Sequence, residues 1–295
     1  MPLKVGCIGL GTMGMPMARS LARAGFALSL MTRTAAKAQA LAQELGARAC
    51  DSPEQLASQC DVVVSCLPDS PEVEAVHLGA QGTIRGAAPG LVVVDCSTIA
   101  AEAARAIAQR LAQAQIGRLD APVSGGQKGA IEGTLTFFVG GESAALEKAR
   151  PVLAAMGKRI THLGAAGAGQ LGKAVNQIIV AGNLIAVAEG IAFAQKSGLP
   201  AEALHGALTA GAANSWALEV LGRKMIDRDF APAFAIHHQQ KDLAIVLKTA
   251  RESGVPLPGV ALVHQLLSAL EAQGRGGDGT QALLTLYEKM ADQSA

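Results

Sequence analysis

The sequence predicts an α/β chain: a doubly wound parallel sheet, then an all-helical domain, the two joined by a long helix. Three observations carry that expectation. The chain opens on a short apolar run, LKVGCIGL, that passes directly into glycines at fixed offsets and then into the helical pattern MPMARSLARAG. Up to about residue 163, Val-rich runs of strand length alternate with Ala-rich amphipathic segments, the pattern of a parallel sheet covered on both faces. From Gly169 onward the strand pattern stops and helical periodicity remains.

Taken in order, strands are expected near 3–9, 27–31, 61–67, 91–96, 118–123, 134–140 and 159–163. DVVVSCL and LVVVDCS are continuously apolar rather than alternating, as strands buried on both faces must be. MPMARSLARAG, TAAKAQALAQELG and AEAARAIAQRLAQAQ supply helices between them. The second half reads as a long helix near 169–197 and further helices near 201–208, 214–226, 238–253, 257–273 and 278–292. Gly198, Gly211, Gly254 and the GRGGDG run mark the breaks. A length of 295 residues favours two domains, 1–163 and 164–295.

Half of the residues are hydrophobic but only 3% are aromatic, so the core must be built from closely packed Ala, Val, Leu and Ile. The net charge of +1, without basic or acidic blocks, argues against nucleic acid or a membrane surface as a partner. The apolar stretch 175–194 contains Asn176, Gln177, Asn183 and Glu189, which reads as a buried core helix rather than a membrane span. The first apolar run is short and broken by Gly6 and Gly9, unlike a secretory signal. Cys7, Cys50, Cys60, Cys66 and Cys96 form no C-x-x-C pair, so a reduced, cytoplasmic protein without a metal cluster is expected. The helical half is too apolar along its faces for a solvated appendage. Part of it is expected to pack on another copy, in a homo-oligomeric dimer or tetramer.

The opening glycines carry the first functional signal. Gly9-Leu10-Gly11-Thr12-Met13-Gly14 is a G-x-G-x-x-G turn between a strand and a helix, the dinucleotide site of a Rossmann-type doubly wound sheet. Gly9 permits the tight turn, Gly11 lets a pyrophosphate approach the backbone, and Gly14 lets the helix pack on the strand. The helix N-terminus then offers N–H groups to the phosphates. An NAD site places an acid at the end of the second strand to hold the ribose hydroxyls. Here that end reads Leu30-Met31-Thr32-Arg33-Thr34, with Lys37 one turn on. Arg33, Thr34 and Lys37 suit a 2′-phosphate, so NADP is expected to be preferred, with NAD as the other usable cofactor. Solvated surface charge is the alternative reading of Arg33 and Lys37.

Three segments bear chemistry. In DAPVSGGQKGAIEGTLTFFVGG, Ser124-Gly125-Gly126 follows a strand, so its hydroxyl and N–H groups either converge on a small carboxylate or make an ordinary glycine turn. In GAAGAGQLGKAVNQ, Lys173 and Asn176 share one helix face. A lysine beside a neutral amide suits proton transfer to the alkoxide formed when a carbonyl accepts hydride; otherwise Lys173 snorkels to solvent. In HHQQKDLAIVLKTA, Lys241 adds positive charge for a carboxylate, braced by Asp242, or the two form a solvated ion pair. His237 and His238 are adjacent and make a poor metal pair, and His205 and His264 are isolated.

Together GLGTMGMPMARSLARAGF, CLPDSPEVEAV, DCSTIA, DAPVSGGQKGAIEGTLTFFVGG, GAGQLGKAVNQ and FAPAFAIHHQQKDL resemble, in order and along essentially the whole chain, the β-hydroxyacid dehydrogenases. The resemblance implies a Rossmann-type domain and a helical domain with the active site between them. It implies Lys173 as catalytic lysine, Asn176 as positioning residue, and Ser124, Gly125 and Gly126 as the substrate-carboxylate loop. By the same resemblance Lys241 lies near substrate and cofactor, and Leu67, Pro68, Ser97 and Thr98 line the cofactor cleft. Members using NAD tend to carry Asp where Thr32 stands, in agreement with the reading for NADP. Asn214-Ser215-Trp216 matches a variable region of the substrate pocket, where Trp216 either closes over a small substrate or belongs to the core. The expected reaction moves hydride between the nicotinamide and a small carboxylate-bearing aldehyde. Tartronate semialdehyde ranks first, succinic semialdehyde or glyoxylate second and the 3-hydroxyisobutyrate couple third. An imine reductase and a non-catalytic nucleotide-binding module are the alternatives from other classes.

Overall fold

The computed structural model describes residues 3–291. The chain divides into two compact units, one reaching to Lys173 and one beginning at Ala174, so the division falls inside a single helix, Ala168–Lys196.

The first unit is built on one sheet. Its strands are β1 (Lys4–Ile8), β2 (Ala27–Met31), β3 (Arg48–Ala49), β4 (Val62–Ser65), β5 (Val92–Asp95), β6 (Gly117–Asp120), β7 (Val123–Ser124), β8 (Leu135–Gly141) and β9 (Gly157–Gly164). They lie in the order β3-β2-β1-β4-β5-β6-β8-β7, with β9 also paired to β8. The six strands from β3 to β6 are parallel, and the chain reverses at β6/β8 and β7/β8, which are antiparallel. Strand order reverses between β1 and β4, the switch point outside which ligands of open α/β sheets bind. The glycine turn expected from the sequence lies at the carboxyl end of β1. Val62, Val63, Val64 and Val92, Val93, Val94 are buried on both sheet faces, which explains their unbroken apolar runs.

The single strand expected near 118–123 is two strands. Pro122 has no N–H to donate, so the strand ladder is interrupted there. Thus β6 ends at Asp120, and the chain re-enters the sheet as β7 on the far side of β8. The two-residue β3 has no sequence signal of its own; it is defined only by pairing to Ser29 and Leu30.

The second unit continues Ala168–Lys196 with helices Ala201–Thr209, Arg223–Ile226, Ile236–Glu252, Pro258–Ala272 and Leu283–Met290. The helix expected over 214–226 begins as a π-helical segment, Ala217–Gly222. The core packs Leu184, Ala188, Met225, Ile236, Leu243, Val263, Leu267, Leu283 and Leu284, and among the described residues of this unit no aromatic ring is fully buried. Ala168–Lys196 is long and apolar enough, by length and composition, to cross a membrane, and 44% of its apolar window is buried. The expectation of a buried core helix over 175–194 therefore holds for one face only. Val175, Ile179 and Phe193 are 56%, 58% and 72% exposed.

Candidate active site

At the end of β1 the three glycines have three separate reasons. Gly9 has φ +91°, and a Cβ there would collide with the Cys66 carbonyl oxygen. A Cβ at Gly14 would collide with the Gly9 carbonyl, so helix Gly14–Arg23 packs on the turn only because Gly14 lacks one. At Gly11 no atom lies within 4 Å of the position a Cβ would take. That open space is what a pyrophosphate approaching the backbone needs. The helix carries no acid in its first turn and no side-chain cap at Met13, so its N-terminus suits an anion. Leu10 is in the core and offers only its backbone, whereas Thr12 is exposed. At the end of β2, Arg33, Thr34 and Lys37 are all exposed around the N-terminus of helix Ala35–Leu45. Thr34 occupies the N-cap position without spending its hydroxyl there, and the first turn holds no carboxylate. These residues fit a dinucleotide, with a cationic corner where its adenosine ribose would lie.

The turns after β4 and β5 are tied together from below by a buried polar network. Asp95 accepts from Ser65 Oγ (3.0 Å) and Ser97 Oγ (2.6 Å) at one oxygen, and from Arg118 (2.6 Å) at the other. Both members of the Arg118–Asp95 ion pair are essentially inaccessible. Ser97 Oγ in turn accepts the Leu67 N–H at 2.8 Å. The Ser97 hydroxyl is thus spent on holding the Leu67-Pro68 turn, and Ser97 reaches that region as scaffold. His77 completes the network between Ser65 Oγ and Thr83 Oγ1, each at 3.1 Å. Burial pushes its imidazole down to about 4, although Asp95 opposes the shift. Sequence reasoning missed Asp95, Arg118 and His77. The only available signal was an acid ending the apolar run LVVVD.

Asp120 ends β6 in the same way and caps the joining helix from outside. Its two oxygens accept the N–H groups of Gly167 (2.8 Å) and Gln170 (2.9 Å). Burial raises its carboxyl above the usual range, and these two bonds act in the opposite direction. Gln170 clamps the segment after β5, donating to Ser97 O (2.8 Å) and accepting from Ile99 N (3.1 Å). Gly169 packs so closely on Asp120 that a Cβ would strike its carbonyl oxygen.

This anchoring places Lys173 one turn into a rigidly held helix. The side chain does not snorkel: Lys173 is 8% exposed and its Nζ donates to the Val123 carbonyl at 2.9 Å. Val123 precedes Ser124, Gly125 and Gly126, and both glycines adopt positive φ, +122° and +59°. The first unit therefore brings the lysine and the candidate carboxylate loop together, 50 residues apart in sequence.

In the second unit Asn176 and Lys241 are joined through Gln177, whose role the sequence did not signal, and through Asp242, which braces Lys241 as expected. Asn176 Nδ2 donates to Gln177 Oε1 (2.8 Å), and Gln177 Nε2 donates to Asp242 Oδ2 (2.7 Å). Lys241 Nζ lies 3.0 Å from Asp242 Oδ1. Trp216 is 60% exposed at the head of the π-helical segment, so it is a surface ring and not core. Its neighbours Asn214 and Ser215 bond to Glu219 and to the Leu218 N–H. His237 and His238 touch through their Nε2 atoms at 3.2 Å, with His237 also bonded to Gly276 O.

A family model described as the NAD binding domain of 6-phosphogluconate dehydrogenase matches residues 4–164. One described as the NAD-binding domain of NADP-dependent 3-hydroxyisobutyrate dehydrogenase matches residues 167–287. The chain is 39% identical to the 2-hydroxy-3-oxopropionate reductase of Escherichia coli, covering 98% of this chain and 99% of that one. It is 38% identical to the NAD-dependent L-serine dehydrogenase of Pseudomonas aeruginosa, covering 92% and 93%. The solved 3-hydroxyisobutyrate dehydrogenase of Mycobacterium tuberculosis superposes with a TM-score of 0.88 at 31% identity, over 97% of this chain and 99% of that one. With both units matched along their length, the chain belongs to the β-hydroxyacid dehydrogenase family and is an NAD(P)-dependent oxidoreductase of that type.

Proposed function

We propose that the protein is a cytoplasmic, homo-oligomeric, NADP-preferring reductase of small carboxylate-bearing aldehydes, with tartronate semialdehyde as first substrate. The observation that carries the reading is the Lys173 ammonium, buried and held at the Val123 carbonyl beside Ser124-Gly125-Gly126. Bound reduced nicotinamide supplies the hydride to the carbonyl carbon. Lys173 gives its proton to the alkoxide oxygen as negative charge develops there, and takes it back from the hydroxyl in oxidation. The Ser124 hydroxyl and the Gly125 and Gly126 amides hold the substrate carboxylate, with Lys241 adding positive charge and Asn176 orienting the reacting oxygen. Trp216 covers the bound acid. Gly9, Leu10, Gly11, Thr12, Met13 and Gly14 hold the pyrophosphate through backbone N–H groups; Leu67, Pro68, Ser97 and Thr98 border the nicotinamide side.

Preference for NADP rests on Arg33, Thr34 and Lys37 standing where an acid would bind ribose hydroxyls. The choice of tartronate semialdehyde rests on the polar Asn214-Ser215 stretch and the scarcity of aromatic side chains. Succinic semialdehyde or glyoxylate is the second reading, favoured by the same cationic strand end.

The test is nicotinamide absorbance decay with tartronate, methylmalonate and succinic semialdehydes and glyoxylate, each with NADPH and NADH. Fastest turnover of tartronate semialdehyde with NADPH supports the reading. Equal or better rates with NADH remove the cofactor preference, and a faster partner aldehyde replaces the substrate. Tight NADPH binding without turnover of any aldehyde leaves a nucleotide-binding module.

A further inference from the structure

Gln177 fixes which atoms Asn176 can offer. It is 2% exposed, and both ends of its amide are bonded. Its Nε2 donates to Asp242 Oδ2 at 2.7 Å, and its Oε1 accepts from Asn176 Nδ2 at 2.8 Å. Chemistry forces that order. A carboxylate oxygen only accepts, so the Gln177 nitrogen must face Asp242 and its oxygen must face Asn176. Oε1 also only accepts, so Asn176 must turn its nitrogen toward Gln177. Turning over either amide, or both, sets oxygen against oxygen beside buried side chains, where an unmade bond is costly. The other Asp242 oxygen lies 3.0 Å from Lys241 Nζ, so the relay is anchored on a cation. Asn176 is half-buried, whereas Gln177 and Asp242 are buried. Beyond the relay Asn176 retains Oδ1 as an acceptor and one Nδ2 proton as a donor, side by side on one amide.

We propose that Gln177 is a positioning residue that makes the enzyme select aldehydes with a hydroxyl on the neighbouring carbon. This selection rests on the function proposed above, in which Asn176 meets the substrate. A carbonyl flanked by a hydroxyl presents an acceptor beside a donor, the complement of what Asn176 retains. The Nδ2 proton bonds the reacting oxygen, and Oδ1 accepts from the hydroxyl. An aldehyde without the hydroxyl sets a C–H group against Oδ1, and the site loses that bond while still desolvating the amide. Tartronate semialdehyde carries the hydroxyl; succinic semialdehyde and glyoxylate do not. Were Gln177 free to turn over, Asn176 could follow it and offer either end, and the distinction would fade.

The test compares NADPH-dependent turnover of tartronate semialdehyde and malonate semialdehyde, two acids that differ only in the hydroxyl. Wild-type kcat/KM should favour the hydroxylated acid by about tenfold or more. Gln177→Met keeps the length of the side chain and removes both of its hydrogen bonds. It should bring the ratio to within about threefold of one, because the hydroxylated acid loses more than its analogue. Loss of general support would lower both acids alike, so an unchanged ratio overturns the role of Gln177. Should Gln177→Met fail to fold, Asn176→Ala at its half-buried position is the second variant. It too should erase the preference, and a preference retained there overturns the selection. A wild-type ratio near one also overturns the selection, but leaves the acid-aldehyde reductase standing. Turnover of no acid aldehyde overturns that function and the selection together.

Discussion

The two units differ in how fully they satisfy the polar groups they bury. In the first, Asp95, Arg118, Ser65, Ser97 and His77 form one connected network in which the charged oxygens are all used. In the second, Gln239 is wholly buried with neither Oε1 nor Nε2 bonded, and Gln240 and Gln281 each leave Oε1 without a partner. The contrast follows from energetics. A buried charge without a partner is prohibitive, so the Asp95 carboxylate arrives with both oxygens bonded, while a single unsatisfied N–H or amide oxygen, Arg118 Nε included, costs only about 1–3 kcal/mol and is tolerated. The first unit is thus pre-set around the turns proposed to border the cofactor, and the second is fastened mainly by aliphatic packing.

Four substitutions break or sharpen that comparison. Lys173→Ala takes the proposed proton donor out of the pre-set unit and should lower turnover by about 10²–10⁴-fold. NADPH affinity, read by fluorescence titration, should stay nearly unchanged; retained turnover would strip Lys173 of its role. Arg118→Met leaves Asp95 buried without its cation and should destabilise by about 3–5 kcal/mol in thermal unfolding. A loss under 1 kcal/mol would mean the network is not a charged scaffold.

His77 should give the first unit an acid limit. Its folded pKa is pushed down to about 4 by burial, below the about 6.5 of an unfolded histidine. The unfolded chain therefore binds more protons between these values, and stability falls as pH drops from about 6.5 to 4, by up to about 3 kcal/mol. His77→Gln should flatten that slope; an unchanged profile would assign the acid sensitivity elsewhere. Smallest of all, Gln239→Met in the second unit should be neutral or stabilising by about 1 kcal/mol, because it removes two unpaired polar atoms. Clear destabilisation would show that Gln239 has a partner such as a buried water.

Legibility from sequence differs between the same two regions of argument. The glycine turn, the cationic end of β2 and the long helix are local patterns, and local sterics write them into short spacings. The unit-building contacts are not local. Asp120 caps a helix 47 residues downstream, and Gln177 meets Asp242 across 65 residues; no spacing rule joins them. Pro122 could have signalled the break between β6 and β7, but placing β7 beyond β8 required the pairing itself. The π-helical start at Ala217–Gly222 keeps an ordinary helical periodicity in sequence and differs only in its hydrogen bonds.

The bond from Lys173 to Val123 has a consequence for descent. The proposed proton donor and carboxylate loop pack within one compact unit although they fall in different family models, whereas Asn176, Lys241 and Trp216 reside in the other unit. On the function proposed above, substitutions at Asn176, Lys241 or Trp216 would change which acid is accepted without touching the Lys173–Val123 bond. Relatives at nearly equal identity to this chain, one named for 2-hydroxy-3-oxopropionate and another for L-serine, are what such a separation of roles would leave behind.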